Sequence, residues 1–125
     1  MDKRQNKNIS NGVKIAVSSM DKTIDGSVSD IFGRCPYFII AEIKDQKIER
    51  TEVLENKSTD QMSGAGISAA QLMAEKNVNA VITGNVGPRA LDVLKQFNIE
   101  SYCGNGLIKE VLQEFMNGKL KKLEQ

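Results

Sequence analysis

The sequence predicts a mixed α/β domain, a five-stranded sheet with helices packed on both faces. Two observations carry that prediction. An early pair of apolar runs meets at Asp45-Gln46 as a hairpin, and the second half of the chain alternates short apolar runs with amphipathic helical stretches. The element order is β-β-β-α-β-α-β-α, without internal repeats.

Residues 1–12 hold a single apolar side chain after Met1 and read as a flexible N-terminal tail. The domain itself spans 13–118. It opens at 13–17, Val-Lys-Ile-Ala-Val, a β-branched run that feeds Ser18-Ser19 as a central strand feeds a loop. Residues 20–31 are rich in Asp, Ser and Gly, show no helical or strand period, and lead to the turn Phe32-Gly33-Arg34-Cys35-Pro36. Strand two covers 37–43. Strand three, 47–54, alternates but is too charged for the centre of a sheet. A polar loop of unusual length for a small domain follows, 55–66.

The helix at 67–76, ISAAQLMAEK, sets Ile67, Ala70 and Ala74 on one stripe. Residues 79–83 form a short, continuously apolar strand of the buried parallel kind. Gly84-Asn85-Val86-Gly87 then turns the chain, and Pro88 is suited to the first position of a helix at 88–97 that buries Leu91, Leu94 and Phe97. A last strand, 99–103, precedes a third helix, 107–116, with Leu107, Ile108, Val111, Leu112 and Phe115 inward. Gly118 ends that helix, and 119–125 read as a polar C-terminal tail.

Composition narrows the function classes. The chain has 125 residues, 40% of them hydrophobic and 26% charged, with a net charge of +1 and its basic residues scattered among acidic ones. That gives no footprint for nucleic acid or a membrane surface. No apolar run approaches the roughly 20 residues of a membrane span, and the N-terminus is polar, so a cytoplasmic protein is expected. The two cysteines, Cys35 and Cys103, lie outside any CxxC pair and are expected to be reduced. Histidine is absent, which excludes His-based triads, HExxH zinc sites and imidazole pH switches. A two-metal nuclease is also excluded, because strand one offers Ile15, Ala16 and Val17 where carboxylates would be needed.

If strands one, three, four and five run parallel and strand two runs against them, every unusual feature meets at one sheet edge. That edge collects Ser18 to Met20, the FGRCP turn, Gly64-Ala65-Gly66, the GNVGP turn and Cys103, where open α/β sheets bind ligands. The candidate binding residues are Gly33, Arg34, Cys35, Gly64, Gly66, Gly84, Asn85, Gly87 and Arg89. Cys35 is either a thiolate ligand for a soft metal or a small buried hydrophobe. Cys103 ends a strand and reads as structural. The glycines before the helices either present N–H groups to an anion or only make turns, and Arg34 and Arg89 either clamp an anion or stay solvated. Met20 and Met62 are thioethers near the same mouth, with gap filling the commoner role.

The pieces VKIAVSS, VSDIFGRCPYFIIAEI, GAGISAAQLMAEKNVNAVITGNVGPRALDVLKQFNIESY and EVLQEFMNGKLKKL resemble the dinitrogenase iron-molybdenum cofactor biosynthesis family, the NifX-like and NafY-core group that includes the orange protein. The combination of FGRxP, GAG and GNxGPxA is the specific part. The resemblance implies a ribonuclease H-like three-layer α/β/α fold with strand order 3-2-1-4-5 and strand two antiparallel. It also implies a non-enzymatic protein that binds or carries an iron- and/or molybdenum-containing sulfur cluster or its precursor, noncovalently or anchored by Cys35. Many members read SEHFGR where this chain has Ile31 in place of the histidine, so no imidazole ligand is expected. A cluster-assembly protein is the expected partner, and a monomer or weak homodimer the expected state. Two other readings stay open: a metal-free interaction module for a cluster-assembly system, and a small-anion or nucleotide-binding protein.

Overall fold

The computed structural model describes residues 12–59 and 63–124; the expected N-terminal tail, apart from Gly12, and Met62 lie outside the described residues. Among the described residues six strands form one sheet: β1 (Val13–Ser19), β2 (Tyr37–Lys44), β3 (Lys47–Glu55), β4 (Ala80–Thr83), β5 (Glu100–Cys103) and β6 (Lys121–Lys122). Three α-helices accompany them: α1 (Ala65–Glu75), α2 (Pro88–Gln96) and α3 (Ile108–Met116). A 3-10 turn at Phe32–Arg34 precedes β2.

The strand order is β3-β2-β1-β4-β5-β6. β1 is antiparallel to β2 and parallel to β4, and β4 is parallel to β5. This corrects the five-stranded expectation. The order 3-2-1-4-5 gains a sixth strand from 119–125, the stretch expected to be a tail. Gly118, at φ 71, turns the chain back after α3, and Tyr102 and Cys103 pair antiparallel with Lys122 and Lys121. The Leu123 N–H donates to the Ser101 carbonyl at 2.7 Å, and Leu120 and Leu123 pack against the core. A two-residue strand of lysines carries no alternation from which it could be predicted.

Strand alternation builds two cores. Ala16, Phe38, Ile40 and Val81 face α1 and α2, where they meet Ala69, Ala70, Met73, Leu91 and Leu94. Ile15, Val17, Ile39, Ala41 and Ile82 face α3, meeting Ile108, Val111 and Leu112. The sheet is therefore the middle of three layers. Each fully buried Leu, Ile or Phe contributes about 1.5–3 kcal/mol of transfer free energy, which fixes the register of every central strand. Two side chains depart from the expected inward set: Phe97 and Leu107 are 50% and 48% exposed. Both lie at helix ends, where the apolar stripe runs past the edge of the sheet.

Asp45 and Gln46 both have positive φ, 54 and 65, the two-residue turn whose twist suits an antiparallel hairpin. β2 thus starts where β1 and β4 end. The FGRCP turn, which enters β2, lands against the loop that leaves β4: Ile31 bridges Asn85, and the Phe32 N–H donates to the Asn85 carbonyl at 3.0 Å.

Candidate functional site

Close backbone approach assembles the site. A Cβ on Gly33 would lie 2.6 Å from both Cα and N of Gly66, and a Cβ on Gly66 would lie 3.0 Å from Cβ of Ala90. The FGR turn therefore rests on the first turn of α1, which rests on the first turn of α2. Each contact demands a residue with no side chain, or almost none.

Between these three pieces lies a cleft of ≈ 350 Å³. Its walls are Gly33 and Arg34 from the turn, Gly64 and Gly66 from the start of α1, and Gly87 and Arg89 from the start of α2, with Ile31, Phe32, Ile67 and Pro88 as apolar lining. Six of the nine expected residues thus converge. Neither helix carries a side-chain N-cap. The first intrahelical backbone donors are Ser68 to Gly64 and Leu91 to Gly87, at 2.9 Å each. The N–H groups of Ala65, Gly66, Ile67, Arg89 and Ala90 precede them, and such first-turn donors carry the positive end of the helix dipole. Two guanidinium groups add to that field, and among the described residues the lining contains no carboxylate. Arg34 is held by a 2.7 Å hydrogen bond from its guanidinium to the Thr59 carbonyl, while Thr59 donates its hydroxyl to the Arg34 carbonyl at 3.2 Å.

The other three expected residues do not line the cleft. Gly84 is a packing glycine, since a Cβ there would lie 2.8 Å from the Asp30 carbonyl oxygen. Asn85 supplies its backbone to the bridge with Ile31. Cys35 is fully buried in the core against Phe32 and Phe38, and it does not line the cleft. Its thiol donates to the Phe32 carbonyl at 3.2 Å, and burial pushes it up to about 12 from 9.0. A neutral core thiol is a poor metal ligand, so the structure opposes the expected thiolate anchor and favours the hydrophobe. Cys103, half-buried, lies 3.7 Å from the Gly84 carbonyl. Met20 is 53% exposed. Among the described residues no three His, Cys, Asp or Glu side chains group into a metal site.

One positioning residue escaped the sequence reading. Asn56, 2% exposed, donates its side-chain amide to the carbonyls of Cys35 at 2.8 Å and Gly33 at 3.2 Å, and its backbone N–H donates to the Pro36 carbonyl at 3.0 Å. It clamps the whole FGRCP turn. An asparagine inside a polar loop gives no signal of such burial. A second cavity, ≈ 440 Å³, lies beside α2, β5 and β6 and is lined by Lys95, Ser101 and Leu123 among others. It touches none of the sequence motifs.

The arrangement suits an anion with apolar flanks, held by N–H groups and guanidinium groups without a protein thiolate. Residues 13–118 match the family model described as dinitrogenase iron-molybdenum cofactor. An uncharacterised protein of Methanocaldococcus jannaschii is 39% identical over 114 residues, covering 90% of this chain and 97% of its own. The apo orange protein of Desulfovibrio gigas superposes with a TM-score of 0.82 at 31% identity, over 91% of this chain and 95% of that one. A Thermotoga protein provisionally assigned as a NifB protein of the DUF35 family gives 0.74 at 32% identity, over 88% and 92%.

Proposed function

Because the chain belongs to the dinitrogenase iron-molybdenum cofactor family, we propose that it carries an anionic metal-sulfur cluster, or the precursor of one, as noncovalent cargo in the cleft between the FGR turn, α1 and α2. The observation that carries this reading is the meeting of two helix N-termini and two arginines in a cleft whose described lining residues include no carboxylate. Backbone donors and guanidinium groups neutralise the cargo's charge, and the apolar walls exclude water and strengthen each contact. Cargo that brings its own sulfides needs no cysteine from the protein. In this reading the protein turns over no substrate, works in the cytoplasm, and exchanges its iron- or molybdenum-containing cargo with an assembly protein. Its fold is a ribonuclease H-like sandwich with one strand added at the edge.

Anaerobic reconstitution with iron or molybdenum and sulfide, followed by desalting and metal analysis, tests the proposal. The parent and Cys35→Ser are expected to retain metal and charge-transfer absorption alike, whereas Arg89→Ala retains less and loses it at lower salt. Absence of retained metal in the parent, or its loss only in Cys35→Ser, contradicts the proposal.

A metal-free docking role is the second reading. It draws on Ile31, which lines the cleft and is 53% exposed, and on Met20, 53% exposed just past the end of β1. A partner that binds the metal-stripped protein and is lost on Ile31→Ser favours it.

A further inference from the structure

β3 ends the sheet order, so among the described residues no strand pairs with its outer edge. It is nine residues long, and only Ile48 and Leu54 are less than exposed. Charged edge strands ordinarily resist pairing. Here Arg50 and Glu52, of opposite charge, flank Thr51. We propose that β3 pairs antiparallel with β3 of a second copy of this chain, on a two-fold axis at Thr51, joining two sheets into one.

In that register Arg50 faces Glu52 of the second copy, Thr51 faces Thr51, and Glu52 faces Arg50. Opposite charges and paired threonines directly across a strand pair are favourable, and like charges there are destabilising. Arg50 and Glu52 also stand on one face of the sheet, since they pair across β2 with Glu42 and Ile40, and Ile40 lies in the core beneath α1. A two-fold perpendicular to the sheet preserves that face in both copies. Moving the axis by one residue destroys the match: at Arg50 it sets arginine against arginine, and at Glu52 glutamate against glutamate. The register break between Glu42 and Ile43 leaves Glu49 as the bulged residue, so the regular stretch available to each copy is 50–55. The three central pairs lie inside it.

The existing partners of these side chains do not prevent the exchange. Arg50 lies 3.7 Å from Glu42 and Lys76 lies 3.6 Å from Glu52, long contacts between side chains at the surface. Because β3 runs parallel to β1, the pairing points the two clefts to opposite ends of the joined sheet. Each copy keeps a complete site, so the dimer does not depend on the cargo reading.

The test is sedimentation equilibrium of the full chain, without added metal, over a dilution series. The parent's average mass is expected to rise from monomer toward dimer. Arg50→Glu and Glu52→Arg should each associate at least about tenfold more weakly, because each sets like charges opposite one another twice. Their equimolar mixture restores every opposite-charge pair and should associate like the parent, as should the double variant R50E/E52R alone. Circular dichroism checks that each single variant is folded. A parent that stays monomeric throughout, single variants that associate like the parent, or a mixture of folded single variants that stays monomeric overturns the proposal.

Discussion

Gly33→Ala probes the contact on which the cleft is built. The added methyl would lie 2.6 Å from Cα and N of Gly66 and 3.1 Å from the carbonyl carbon of Ala65. Relaxed carbon contacts lie at about 3.5–4.0 Å, so the overlap is roughly 1 Å and falls on backbone that cannot swing aside. Sliding α1 away meets Ala90, 3.0 Å from where a Cβ on Gly66 would stand, so α1 and α2 have little slack between them. Overpacking of this kind costs about 1–3 kcal/mol. For a domain of this size each kcal/mol shifts Tm by about 4 °C, which gives a fall of about 4–12 °C. Gly87→Ala is the control, with φ −68 and nothing within 4 Å of the new methyl. It is expected to be neutral or stabilising by up to about 1 kcal/mol. Urea unfolding of both variants, with unchanged m, measures the difference. Equal stability of the two variants would refute the close-packed account of the site.

Cys35 and Asn56 give two further tests. With the Cys35 thiol held up at about 12 from 9.0, the unfolded chain ionises first as pH rises. It then binds fewer protons than the folded one, so this group's contribution falls between about pH 9 and about pH 12, at up to about 1.4 kcal/mol per pH unit. Tyr102, also pushed up to about 12, acts in the same direction but is common to parent and Cys35→Ser. The parent's urea midpoint should therefore fall more steeply than that of Cys35→Ser above pH 9, and parallel curves would contradict a buried neutral thiol. Asn56→Ala strips the buried carbonyls of Gly33 and Cys35 of their side-chain donor, a loss of about 1–3 kcal/mol by urea unfolding. A loss below about 0.5 kcal/mol would show that the turn holds itself.

The parts of this fold that obey a period were legible in the sequence. Ile15, Val17, Ile39 and Ala41 alternate with Ala16, Phe38 and Ile40, and Pro88 and Gly118 mark helix ends by their backbone restrictions alone. The convergence at the site followed from strand direction, which the hairpin and the crossovers fix. β6 was not legible, because two lysines pair through backbone and leave no apolar trace. Cys35 was ambiguous for a related reason: a thiol beside Arg34 in sequence points the other way in space, into the core. Gly84 and Asn85 belong to the right turn but do not line the cleft: Gly84 packs on Asp30, and the Asn85 backbone pairs with 31–32. Asn56 needed three dimensions, since its acceptors lie 21 and 23 residues away in the chain.

The central claim is that cargo sits in the cleft, held by backbone and arginine rather than by a thiol. Amide spectra of isotope-labelled protein, recorded anaerobically while a paramagnetic iron-sulfur species is added, locate it directly. The signals of Gly33, Gly66, Ile67, Arg89 and Ala90 are expected to broaden first, equally in the parent and in Cys35→Ser. Broadening centred instead on Cys103 and Gly104, or abolished by Cys35→Ser, would contradict the claim.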